Sequence, residues 1–228
     1  MMIDERLKYA ANYIIGDKMV DIGSDHAYLP IYSIQNNIVK TAICGEVVEG
    51  PYHSTLKNIE VYHMTDKIEA RLGDGLKILS KEDKVNTITI CGMGGPLIAS
   101  IIKEGYDNVS GHPRLILQAN NFTYPIRKTI TDLNYTITHE KVLKLGKHYY
   151  EVIVCDYVEN EVSLTEKEMT FGPLNLSVRD DEFISKIEWE HAHMVRIYNG
   201  INSEKSSGKK EEVKSKIKLL EEVLNDEN

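Results

Sequence analysis

The sequence of 228 residues holds only three cysteines, Cys44, Cys91 and Cys155, each inside an apolar, strand-like run. None forms a CxxC pair and no His/Cys cluster has zinc spacing, so a metal site is not expected and buried free thiols in a reducing compartment are. No apolar run approaches the roughly 20 residues of a membrane-spanning helix, which excludes a transmembrane protein. The opening stretch, MMIDERLKYA, has acids where a signal peptide needs a basic start and an apolar segment, and a cytoplasmic location is the expectation. A basic excess is missing too: 27 Lys and Arg stand against 35 Asp and Glu, a net charge of -8. That balance disfavours a general nucleic-acid binder but leaves room for a local basic face. Arg127–Lys128, the segment with Lys141, Lys144, Lys147 and His148, and the lysines of 205–218 are the clusters that could build one.

What is present has two textures. Up to about residue 160, short β-branched runs alternate with amphipathic stretches, as in a parallel sheet covered by helices. Strands are expected at 18–23, 40–45, 67–72, 87–92 and 114–119, with helices opening at Pro51 and Pro125 between them. Segments 135–142 and 149–157 alternate around Gly146 and read as an antiparallel hairpin. The sum is an α/β, doubly wound sheet of about seven strands. After Phe171-Gly172-Pro173 the β texture stops. Phe183, Ile187, Met194, Tyr198 and Ile201, then Val213, Ile217, Leu220 and Leu224, recur at helical steps on either side of a polar linker at 199–210. An antiparallel helical hairpin or short coiled coil follows, giving domains at 1–160 and 161–228.

Glycine is scarce where a dinucleotide site would need it. The first strand ends in Asp21-Ile22-Gly23-Ser24-Asp25-His26, which keeps one glycine of the three-glycine fingerprint. Asp25 would repel a pyrophosphate but not a ligand carrying its own positive charge, so the loop disfavours NAD and suits S-adenosylmethionine. The second strand ends in Gly45-Glu46, where an acid takes both ribose hydroxyls. The third ends in Gly73-Asp74-Gly75, where an acid can accept the adenine amino group and the glycines let the ring pass close. The fourth ends in Cys91-Gly92-Met93-Gly94-Gly95. Singly, each is as well explained by turn geometry or a solvated charge. Their order at successive strand ends describes one crevice at the carboxyl edge of the sheet.

The set DIGSDHAYLP (21–30), GE then GP (45–46, 50–51), GDGL (73–76), GMGG (92–95), LQAN (117–120) and FGP (171–173) resembles the bacterial tRNA (adenine(22)-N1)-methyltransferase family over nearly the whole chain. The Asn/Asp-Pro-Pro-Tyr of many amino-methylating enzymes is absent, and GMGG stands in its place. The resemblance implies a class I methyltransferase domain, Rossmann-like, followed by a small helical extension. It also implies methyl transfer from S-adenosylmethionine to N1 of an adenine in the tRNA D-loop, with the base turned out of its stack.

On that reading Asp25 and Asn120 are the catalytic candidates, as acceptors near the exocyclic amine of a ring that becomes cationic. Asp21, Gly23, Asp25, His26, Glu46, Asp74, Gly75, Gly92 and Met93 are the cofactor-binding candidates. Tyr28, Arg127, Lys141, Lys144 and Lys147 are the RNA-binding candidates, and the partner is tRNA, bound by a monomer. Competing roles stay open: Asn120 as a loop cap, Tyr28 as core, His26 bonded to its own loop, Asp21 holding the loop or the cofactor's amine. Residues 161–228 carry ten Lys and Arg against fifteen Asp and Glu, so the C-terminal lysines also fit a solvated helix face. The alternatives for the whole chain are a methyltransferase of another RNA, a protein or a small molecule, a nicotinamide dehydrogenase, and a non-catalytic cofactor-binding module.

Overall fold

The computed structural model describes residues 3–201 and 207–226. Seven strands form one sheet: β1 (Lys18–Ile22), β2 (Thr41–Glu46), β3 (Ile68–Leu72), β4 (Thr87–Met93), β5 (Arg114–Ala119), β6 (Tyr135–Leu145) and β7 (His148–Tyr157). Their order is β3-β2-β1-β4-β5-β7-β6. The first five pair in parallel, and β7 runs antiparallel to both β5 and β6. The central strands are buried on both faces, and their β-branched runs leave no polar alternation because helices cover each side. The chain order reverses between β1 and β4, which opens a crevice at their carboxyl ends. β4 runs one residue further than the sequence suggests, with its register to β5 shifting between Cys91 and Met93.

The helices are α1 (Glu5–Ala11), α2 (Tyr28–Gln35), α3 (Glu49–Val61), α4 (Gly95–Gly105), α5 (Tyr124–Asp132), α6 (Glu166–Phe171), α7 (Pro173–Val178), α8 (Asp181–Gly200) and α9 (Ser207–Asn225). Val20, Ile88, Ile98, Leu117, Ile126 and Ile130 pack one face of the sheet, whereas Ala10, Met19, Leu29, Ile31, Ile59, Ile116 and Val154 pack the other. In α3 only Thr55 and Ile59 are buried, and Leu56 is exposed.

A third apolar cluster, Val142, Phe171, Phe183, Ile187, Leu220 and Val223, seats the C-terminal helices on β6. α8 and α9 run antiparallel: Tyr198 meets Lys210, His191 meets Glu221, and Arg179 Nη1 donates to the Val223 carbonyl at 2.8 Å. The middle of the expected linker and Lys205 lie outside the described residues.

Arg127 overturns its expected part in RNA binding. Its guanidinium is fully buried, paired with Glu140 at 2.7 Å and Glu151 at 2.6 Å, and it donates to the Met169 carbonyl at 3.1 Å. The lone inward cation of α5 neutralises two acids of the hairpin and collects a carbonyl of α6 in one stroke. Lys186 of α8 adds a second cation to Glu151 at 3.3 Å. Burial alone would raise the Glu151 carboxyl, but Lys186 and Arg127 outweigh it and hold it at about 2. Gly172, at φ +93°, sits so close to the Glu140 carboxylate that any Cβ would collide with it, which explains the glycine of Phe171-Gly172-Pro173. Lys141 is likewise committed, to Asp180 at 3.0 Å and Glu182 at 3.4 Å at the start of α8. It holds a helix rather than standing free for a phosphate.

Replacing Arg127 strands two buried carboxylates, which is far costlier than losing a surface pair. Arg127→Met is expected to lower unfolding free energy by about 3–5 kcal/mol in urea titration. A loss under about 1 kcal/mol would show the network to be dispensable.

Candidate active site

Three of the five residues after β1 that open α2 have left-handed backbone without being glycine: Asp25 (φ 33°), His26 (φ 69°) and Ala27 (φ 58°), preceded by Gly23 at φ +68°. Such conformations cost on the order of 1–3 kcal/mol each and persist only where the surroundings over-determine them. Here they do. The Gly23 N–H donates to the Gly45 carbonyl at 2.9 Å, and the Asp25 N–H donates to Glu46 Oε1 at 2.7 Å. Asn58 Nδ2 of α3 donates to the His26 carbonyl at 3.0 Å, and the Ala27 side chain is fully buried.

Asp21 anchors the loop from below. Its two oxygens accept from Thr89 Oγ1 at 2.5 Å and Ser24 Oγ at 2.8 Å, and the residue is buried. Of its two candidate roles, loop holding is the one its geometry fits. Burial pushes its carboxyl up to about 6, against the two hydroxyl donors that favour the charged form. Glu46 is also buried, and burial raises its carboxyl too. One oxygen of Glu46 serves the loop, and no hydrogen bond among the described residues engages Oε2.

Around this loop the other strand ends converge. Met93 folds over Gly23, where a Cβ would meet its methyl carbon. Asp25 points outward with its side chain 81% exposed, His26 stacks on Tyr28 with centroids 5.3 Å apart, and Tyr28 is 38% exposed. Tyr28 is thus at the rim and not in the core. Asp74 is exposed and holds Lys77 Nζ at 2.6 Å, while Gly75 packs against Ile101. Asn120 does cap the neighbouring loop: its Nδ2 donates to the Gly92 carbonyl at 2.8 Å, and its N–H donates to the Met93 carbonyl at 2.8 Å. Lys144 of β6 donates to Ser185 Oγ of α8 at 3.1 Å, and Lys147 is exposed in the turn between β6 and β7.

Four contributors went unseen in the sequence. Arg6 donates to Gln118, Gln118 accepts the Gly92 N–H near the end of β4, Thr89 holds Asp21, and Phe122 stands 75% exposed beside Gly95 with φ 50°. A fully buried glutamine in the run Arg114–Ala119 is the one signal that pattern reading could have caught.

The crevice presents acids after β1, β2 and β3 and no cation at the β1–α2 turn, so it fits a ligand with hydroxyls, an amino group and positive charge better than one with a pyrophosphate. Sheet order, the single antiparallel strand and these strand-end acids define a class I methyltransferase fold. The chain belongs to the tRNA (adenine(22)-N(1))-methyltransferase family, whose model matches residues 19–222. It is 35% identical over 234 residues to the tRNA (adenine(22)-N(1))-methyltransferase of Bacillus subtilis, covering 98% of both chains. Among solved structures, Streptococcus pneumoniae Sp1610 in complex with S-adenosyl-L-methionine is similar at TM-score 0.87 and 36% identity, over 98% of this chain and 100% of that one. M. capricolum TrmK in complex with S-adenosyl-homocysteine is similar at TM-score 0.83 and 29% identity, over 99% of each.

Because the folded value of Asp21 lies above its ordinary 3.8, the folded chain holds the extra proton between about pH 4 and pH 6. Ionising Asp21 therefore costs stability as pH rises through that window, by about 3 kcal/mol. In Asp21→Asn the change in unfolding free energy between pH 4 and pH 7 is expected to shift in favour of pH 7 by about that amount. Identical pH profiles for the two proteins would contradict the burial of a titrating Asp21.

Proposed function

We infer that this chain is a methyltransferase that uses S-adenosylmethionine to methylate N1 of adenine 22 in the tRNA D-loop. The observation that carries this is the strained loop after β1, held by buried Asp21 and Glu46 at the edge of an acid-lined crevice in a chain of this family. Bound S-adenosylmethionine supplies a methyl group on a positively charged sulfur.

The chain's own residues then have separable tasks. Glu46 Oε2 accepts the ribose hydroxyls while Oε1 keeps Asp25 in place. Asp74 accepts the adenine amino group, exchanging Lys77 for it, and Gly75 leaves the ring room. Gly23, His26, Gly92 and Met93 form the walls, with Met93 over Gly23 beside the methyl path. Asp21 acts through the loop, both its oxygens being taken by Ser24 and Thr89.

Adenine N1 attacks with its own lone pair, so no base is needed before transfer and alignment is the main task. The electron pair of the broken carbon–sulfur bond stays on sulfur, and the positive charge moves to the adenine ring. Asp25, at the crevice mouth, offsets that charge. Asn120 serves by fixing the Gly92–Met93 backbone, since its amide is already engaged there. Tyr28 offers a face to the target base, whose unstacking costs a few kcal/mol. Lys144 and Lys147 contact phosphates. The chain works as a monomer in the cytoplasm, where tRNA is modified.

Calorimetric titration with S-adenosylmethionine tests the cofactor half. Binding is expected, and Asp74→Ala should weaken it about tenfold, the worth of one good hydrogen bond; no binding to the unaltered chain would refute the reading, and an unchanged affinity would remove the Asp74 assignment. Charge reversal at Lys144 and Lys147 together should weaken tRNA binding and reduce the slope of log affinity against log salt by about 2. An unaltered slope would place the RNA surface elsewhere.

A further inference from the structure

We propose that Arg6 is a positioning residue for methyl transfer: it sets the direction of the Gln118 and Asn120 side-chain amides and, through them, the shape of the Gly92–Met93 backbone that walls the crevice. This rests on the functional reading above. Arg6 belongs to α1, which packs beside β5 and β7, and no motif points to it.

Four of its five side-chain donors have partners. Nε and Nη2 grip the two oxygens of Asp4 at 3.1 and 3.0 Å, and Asp4 also takes the Arg6 N–H at 2.8 Å as the cap of α1. The guanidinium carbon lies over the Tyr150 ring, 4.6 Å from its centroid. With the fork locked on both counts, Nη1 is aimed at Gln118 Oε1 at 3.1 Å and Asn120 Oδ1 at 3.5 Å.

A guanidinium can only donate, so both amides must turn oxygen toward it. The rest follows from that polarity. Gln118 Oε1 accepts the Gly92 N–H at 3.0 Å, and Gln118 Nε2 donates to Asn120 Oδ1 at 3.3 Å. Asn120 Nδ2 is left facing the Gly92 carbonyl, to which it donates at 2.8 Å. Gly92 is thereby held at both its N–H and its C=O, with nothing within 4 Å on the side where a Cβ would stand. Gly92 asks the same polarity of both amides, and Arg6 enforces it from the opposite side, so its loss frees them to turn. A flipped Gln118 would turn an N–H at the Gly92 N–H, and a flipped Asn120 would turn oxygen at the Gly92 oxygen.

The test compares Arg6→Met and Arg6→Lys with the unaltered chain by amide hydrogen exchange and by single-turnover methyl transfer at saturating tRNA. In Arg6→Met the Gly92 amide is expected to exchange about tenfold faster, the loss of one hydrogen bond, while amides of β1 and β5 keep their protection. The transfer rate should fall about 100-fold, as for a wall misplaced by a fraction of an ångström to an ångström, with KM for tRNA little changed. Arg6→Lys should recover part of both, because an ammonium still demands oxygen from the two amides. Unchanged Gly92 exchange and an unchanged rate in Arg6→Met would overturn the proposal. So would equal loss of protection throughout the sheet in both variants, which would make Arg6 a folding residue. If the unaltered chain transfers nothing to tRNA, the functional reading fails, whereas Gly92 exchange still decides the part Arg6 plays.

Discussion

The turn between β1 and α2 is held in a backbone conformation that its residues do not prefer, and two buried carboxylates hold it there. Glu46 captures the Asp25 N–H from the end of β2, and Asp21 captures Ser24 and Thr89 from the end of β1. Those contacts make the three left-handed residues tolerable, and the turn in turn sets where Asp25, His26 and Tyr28 project. The same contacts explain why neither acid is a plain solvated charge. Burial raises both carboxyls, and the hydrogen bonds they accept from the turn and from Thr89 offset part of that cost.

A second constraint operates at the other end of the sheet. The Arg127–Glu140–Glu151–Lys186 group joins α5, the β6–β7 hairpin and α8 through charge that is largely withdrawn from water. It is poor as a source of net stability, since apolar residues of the same volume would serve as well, but it demands one arrangement of its partners. The C-terminal helices are therefore docked in a defined orientation, with Lys141 clamping the first turn of α8 and the third apolar cluster filling the seam. Lys144 also reaches α8, at Ser185, while Lys147 stands exposed in the turn between β6 and β7.

The strands were legible because a doubly covered parallel sheet forces continuous β-branched runs, and the helical hairpin because its apolar residues keep a helical step. The strand-end acids were legible because Asp21, Glu46 and Asp74 fall in order at successive strand ends, although Asp21 and Glu46 also hold the turn itself. Arg127 was misread for a physical reason: an arginine in an amphipathic helix looks solvent-facing unless its distant acids, Glu140 and Glu151, are known to meet it. Lys141 failed in the same way through Asp180. Arg6 and Thr89 were invisible because their partners lie over 60 residues away in the chain, and pairings at that separation leave no local pattern. Asn120 lies just past β5, and its contacts to Gly92 and Met93 fit the loop cap that its position also allows.

The most direct test of the account is methyl transfer from labelled S-adenosylmethionine to tRNA transcripts that differ only at position 22, followed by mass spectrometry of the nucleosides. The account predicts 1-methyladenine in the transcript with adenine there and none in the transcript without it. Equal labelling of both transcripts, or binding of S-adenosylmethionine with no labelling of either, would contradict it.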